Sequence, residues 1–180
     1  MPLPIEVPGA EFWDAEKECF EYTEPAKFHL EHSLYSISKW EAKWHIPFLS
    51  TKDKTYDQAI DYVRCMCIEE EVDPKVFQGI TKKQMDEITA YIENPMTATT
   101  FSDKAHGHSR DIITNEIVYF WMTDCGLPFE CQFWHINHLL TLIRVCQIKR
   151  QPPKKMGKKN TLRSNAELNA ARRAALGSKG

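Results

Sequence analysis

Between Cys125 and His138 the chain reads Cys125-x5-Cys131-x3-His135-x2-His138, with residue types and spacing that suggest metal chemistry. Thiolates and imidazoles bind zinc, and a helix would bring Cys131 and His135, four apart, onto one side. The surroundings argue against it: there is no Cys-x2-Cys pair, and Leu127-Pro128-Phe129 and Phe133-Trp134 make the stretch an apolar connector. Cys131, His135 and His138 are therefore weak metal candidates, and two core cysteines with two histidines near helix ends is the favoured reading. Cys65-x-Cys67 is weaker still, since two helical steps turn the thiols about 200° apart. His106-x-His108 reads as a solvated pair in a loop. No Gly-rich phosphate loop, Gly-x-Ser-x-Gly or His-Glu-x-x-His occurs in the chain, so neither catalysis nor a cofactor is expected.

Charge is the stronger signal. From Lys149 onward ten basic residues stand against one acid, Glu167, a net of +9. The preceding 148 residues hold 13 Lys and Arg against 24 Asp and Glu, a net of −11. An acidic body with a basic tail folds back on itself or presents the tail to something acidic. The candidate contact residues in the tail are Lys154, Lys155, Lys158, Lys159, Arg163, Arg172 and Arg173, with Leu168 and Leu176 on the face of a terminal helix. No aromatic residue interleaves the lysines, so base stacking is not expected, and nucleic acid is a secondary reading. Trp40-x3-Trp44 is the other candidate contact surface. Paired tryptophans at helical spacing are more often core than cage, but five Trp are many for a small body to bury.

The elements that must position these residues are mostly helical. Leu34, Ile37, Trp40, Glu41 and Trp44 follow helical spacing, predicting a helix over 32–44 that stops before Ile46-Pro47. Thr55-x2-Gln58 and Thr81-x2-Gln84 are capping boxes opening two more helices, the second ending at Asn94-Pro95. Residues 96–108 read as a loop. Ser109 or Asp111 is expected to cap a helix from Ile112 to Cys125 closed by Gly126. A short helical turn over 128–135 and a buried helix from Asn137 to about Gln147 follow. Near the start, Pro2, Pro4, Pro8 and Gly9 suggest an extended arm over 1–11, and 19–22 and 27–30 are expected to pair as a β-hairpin within 18–31. The expected fold is thus mainly α (α+β): an acidic helical body over 1–148 and a basic tail over 149–180. In that tail, 151–163 reads as a tether and 164–177 as a short helix opened by Ser164-x2-Glu167. Six cysteines without an export pattern are expected to stay reduced, in a soluble cytoplasmic protein with no membrane span.

Several segments together resemble a known family: LEHSLYSISKWEAKWHIPFL (30–49), MTATTF (96–101), LPFECQFWHINHLLTLIRVCQIK (127–149), PPKKM (152–156) and NAARRAALGSKG (169–180). They are similar to small virion-assembly proteins of long-tailed bacteriophages, associated with the tail assembly chaperones. The resemblance implies a non-enzymatic protein in the host cytoplasm that binds the apolar tape-measure protein during tail morphogenesis. Two alternatives stay open. One is a structural virion component, a connector or decoration subunit, whose tail docks on a neighbouring subunit or on another copy. The other is a nucleic-acid-binding protein.

Overall fold

The computed structural model describes residues 1–14, 18–101, 112–151 and 158–177. The chain divides into two compact units, Met1–Gln147 and Ile148–Gly180. Helix predominates, with a small antiparallel β element at the start, so the class is α+β.

Strands β1 (Leu3–Val7), β2 (Ala10–Asp14), β3 (Cys19–Thr23) and β4 (Ala26–Leu30) form two ladders, β1 with β4 and β2 with β3. The expected hairpin of 19–22 with 27–30 is therefore corrected. These two strands run in succession along one arm: β4 pairs with β1, inside the expected extended arm over 1–11, and β3 pairs with β2, which runs on past its end. The register runs through both ladders: Val7 faces Ala26 and Ala10 faces Thr23. Pro8 accordingly stands opposite Pro25, and Gly9 opposite Glu24. Two prolines facing each other offer no N–H to a ladder, which is why one long ribbon reads as two short sheets. Pro4 is tolerated because β1 is an edge strand. Ile5 and Val7 on β1 and Phe28 and Leu30 on β4 are buried, the alternation of a strand with one face on a core. The other edge of β4 is covered, because Glu31 N–H donates to the Met66 carbonyl and Ile68 N–H to that of His29.

Helices α1 (Leu34–Trp44), α2 (Tyr56–Met66) and α3 (Lys82–Glu93) lie where their sequence signals place them. Ser33 caps α1, and both capping boxes form with reciprocal hydrogen bonds. A 3-10 turn over Pro74–Gly79 joins α2 to α3.

Helix α4 (Asn115–Asp124) starts later than expected. Ser109 and Asp111 lie outside the described residues, as do His106 and His108. Thr114 occupies the cap position but makes no side-chain capping bond. The cap comes from α1 instead: Glu41 Oε2 accepts from Asn115 N (2.9 Å) and Nδ2 (2.7 Å), and Glu41 Oε1 accepts from Phe48 N (2.6 Å). Gly126 ends α4 at φ +66°, a value suited to glycine. A second 3-10 turn, Phe129–Phe133, leads into α5 (Ile136–Arg150).

In the second unit, α6 spans Lys158–Leu176. It begins ahead of the Ser164-x2-Glu167 box, so the last part of the expected tether is helical. Lysine, leucine and arginine propagate a helix well, and no proline or glycine interrupts 158–163. Every described α6 side chain is exposed, with Arg163 Nε paired to Glu167 Oε1 at 3.0 Å.

Candidate partner-binding surfaces

The polar groups of the interior are occupied with one another. His32 Nδ1 lies 2.5 Å from the Tyr62 hydroxyl, and the His32 and His135 rings meet edge to face at 5.1 Å. Burial first, then the neighbouring charges of His135 and Lys54, push His32 down to about 3. Burial drives Tyr62 well upward, so both partners stay neutral at physiological pH. His135 Nε2 is 3.1 Å from the Tyr91 carbonyl, which can only accept, so this nitrogen carries the proton. Nδ1 then accepts from Asn137 N at 3.3 Å. The Tyr91 hydroxyl donates to Glu31 Oε1 at 2.7 Å.

That bonding bears on the weak metal candidates. His135 has no ring lone pair left to ligate. Cys131 is buried, with its thiol raised by desolvation, while His138 is exposed and stacked on Trp134 at 5.2 Å. Among the described residues no group of three or more His, Cys, Asp or Glu is placed to hold a metal ion. No disulfide joins any of the described cysteines.

Cys65 and Cys67 behave differently from a helical pair. Helix α2 stops at Met66 and Cys67 turns extended (φ −62°, ψ 130°), so both thiols line the same groove. Burial raises each to about 11, which keeps them protonated rather than nucleophilic.

This groove, of about 850 Å³, runs between the start of α1, the end of α2 and the segment leading to the 3-10 turn at Pro74. Its rim carries exposed apolar side chains: Tyr35 at 43 %, Ile68 at 52 % and Phe133 at 53 %. Tyr35 and Phe133 touch, with ring centroids 5.2 Å apart, and Lys39 Nζ lies 5.0 Å from the Tyr35 centroid. Glu31, Glu69 and Glu70 line it together with Lys39 and Arg64. Slight burial acts the other way on Glu69, but the His29 N–H and ring, at 2.9 and 2.8 Å, hold its carboxyl below the usual range. The groove is apolar at its lips and charged in both senses along its sides, which suits a helix or extended segment with an apolar stripe.

A second surface is the outer face of the β2–β3 hairpin. Cross-strand neighbours share a face, so Trp13 with Phe20 and Glu11 with Tyr22 stand together. Trp13, Phe20 and Tyr22 are all exposed, and the Trp13 and Phe20 rings meet edge-on at 5.0 Å. The sequence reading missed both this face and the role of Glu41. The available signals were Phe12-Trp13 facing Cys19 to Tyr22 across a turn, and a carboxylate standing in the apolar stripe of α1.

The residues picked from sequence are distributed differently. Trp40 is fully buried and donates from Nε1 to the Gln58 carbonyl at 2.9 Å. It offers a partner no surface, and its place in the core follows from a stripe that also buries Leu34 and Ile37. Trp44 is half-buried and donates to Asp61 Oδ2 at 2.8 Å. In the tail, Arg163, Leu168, Arg172, Arg173 and Leu176 lie exposed on α6, and Lys158 and Lys159 open that helix. Lys154 and Lys155 lie outside the described residues. Among the described residues no helix is long and apolar enough to cross a membrane.

No family model, no curated protein and no solved structure matches this chain.

Proposed function

We propose that this protein is a non-enzymatic assembly protein that shelters an apolar helical segment of a larger protein while a bacteriophage tail is built. The similarity of the 30–49, 96–101, 127–149, 152–156 and 169–180 strings to tail assembly chaperones supplies the partner, the tape-measure protein, and the host cytoplasm as the place. The observation that carries the reading is the groove of about 850 Å³ rimmed by Tyr35, Ile68 and Phe133. Aromatic lips left in water gain free energy when a partner covers them. Walls with both signs of charge favour a contact that can be released, as a chaperone requires. Binding is favoured over chemistry because burial lowers His32 and His135 toward their neutral forms and holds the groove thiols protonated.

Co-expression with a tape-measure protein tests this. The soluble yield of that protein is expected to rise, and to fall back when Tyr35→Asp and Phe133→Asp are introduced together. An unchanged yield overturns the reading. Stoichiometric recovery of the protein from purified tails would replace it with a structural role.

A further inference from the structure

We propose that the outer face of the β2–β3 hairpin is a docking surface for helix α6 of a second copy of this chain. The inference does not rest on the chaperone reading, because it concerns another face of the molecule and another partner.

The hairpin has two unlike sides. On one, Phe12 and Glu21 turn toward the Pro74–Gly79 turn: a Cβ at Gly79 would lie 3.7 Å from the Phe12 ring, and Glu21 pairs with Lys75. The other side faces water, where a ribbon packed on one face ordinarily carries polar residues. It carries Trp13, Phe20 and Tyr22 instead, at 56 %, 66 % and 68 % exposure. Three neighbouring aromatics of this kind mark an interaction surface. Glu11 stands across from Tyr22 on the same face, and Glu18 and Glu24, both exposed, lie at the two ends of β3. The cover that fits is therefore apolar and basic.

Helix α6 has that chemistry. Over Lys158–Leu176 five basic residues stand against Glu167 alone. Leu168, Arg172 and Leu176 follow at four-residue steps and form one stripe, an arginine between two leucines. An arginine stacks on aromatic faces and pairs with carboxylates, while the leucines meet the rings. The stripe fits within the strand length: a five-residue strand spans ~17 Å, and the eight helical steps from Leu168 to Leu176 span ~12 Å. Both surfaces are exposed in the chain, Leu168 at 54 % and Leu176 at 80 %. Donor and acceptor surfaces differ, so the contact between copies is head to tail. A ribbon of this size gives a small interface, hence an association that is weak and sensitive to salt.

Sedimentation of the full-length chain, under reducing conditions because Cys19 is exposed, tests the proposal. At low salt the mean mass is expected to rise with concentration, and at high salt to return to the monomer. Trp13→Ser with Phe20→Ser, and separately Arg172→Glu with Leu176→Glu, should each give a monomer with an unchanged melting temperature. Mixed together, the two variants should form a one-to-one dimer and nothing larger, since one face and one helix remain intact. If the serine pair loosens the hairpin, Glu11→Lys serves instead: it should weaken association, and adding Arg172→Glu to the same chain should restore it. A wild-type chain that stays monomeric overturns the proposal, including one whose own helix covers its own hairpin. So does association that survives both variants, a mixture that remains monomeric, or a charge swap that fails to rescue.

Discussion

Glu41 is a carboxylate only 7 % exposed, and its environment explains how it stays there. Three N–H groups, one from the nearby turn at Phe48 and two from Asn115, converge on its two oxygens, replacing the water it gave up. Glu41→Gln puts an amide N–H₂ against donors, and Glu41→Ala leaves them unpaired. Each is expected to cost about 2–4 kcal/mol, measured as a lower urea midpoint with an unchanged slope. His32 governs the response to acid. In the unfolded chain it titrates near its ordinary value of 6.5, and in the folded chain burial lowers it to about 3. Below pH 6.5 the unfolded state therefore takes up a proton that the folded state refuses. Stability is full above that pH and falls as pH drops, by about 1.4 kcal/mol per unit from this one group. His135, also lowered by burial, acts in the same direction. Urea titrations across pH 7.5 to 5 should show the slope, and His32→Gln should reduce it; stability that does not change with pH would refute the argument.

At the scale of elements, the β ribbon is articulated where Pro8 meets Pro25. Gly9 beside that break has little room: a Cβ there would lie 2.5 Å from the Tyr22 hydroxyl and 2.7 Å from the Thr23 carbonyl. The tyrosine tip can move, but the backbone carbonyl cannot move without loosening β3. Gly9→Ala is expected to raise amide exchange across 10–23 while leaving 34–93 protected, because the outer hairpin is a local unit. Uniform loss of protection would show that the hairpin is coupled to the core. Elements whose signals are local were legible in sequence. The Thr55 and Thr81 boxes are four-residue devices, and α2 and α3 begin where they say. The start of α4 was not legible, because its cap comes from Glu41, 74 residues away in the chain. The strand pairing was misread for a similar reason. A proline-bearing stretch scores poorly as strand, and only β4, presenting Phe28 and Leu30 to the same core, makes β1 worth forming.

For the whole molecule, the groove and the tail belong to different units and are tested separately. Tyr35→Asp with Phe133→Asp should leave the thermal midpoint within a degree or two, since surface substitutions of this kind cost about 0.5 kcal/mol or less. Binding of an apolar partner should nonetheless be lost; a large drop in midpoint would instead make these rings structural. The charge split of −11 and +9 was readable without coordinates, because charge depends on composition alone. So were the helical character, the boxes and the apolar stripe of α1, since each is set by neighbours within a few residues. Which residues face water was decided only by tertiary structure. Trp40 and Trp13 are the same residue type, yet one is sealed in the core and the other lies exposed on a ribbon. Burial depends on what packs opposite a side chain, and no local pattern carries that. The same holds for Cys65 and Cys67, which share a groove because α2 ends between them, and for Glu41, whose partners arrive from α4 and the turn at Phe48.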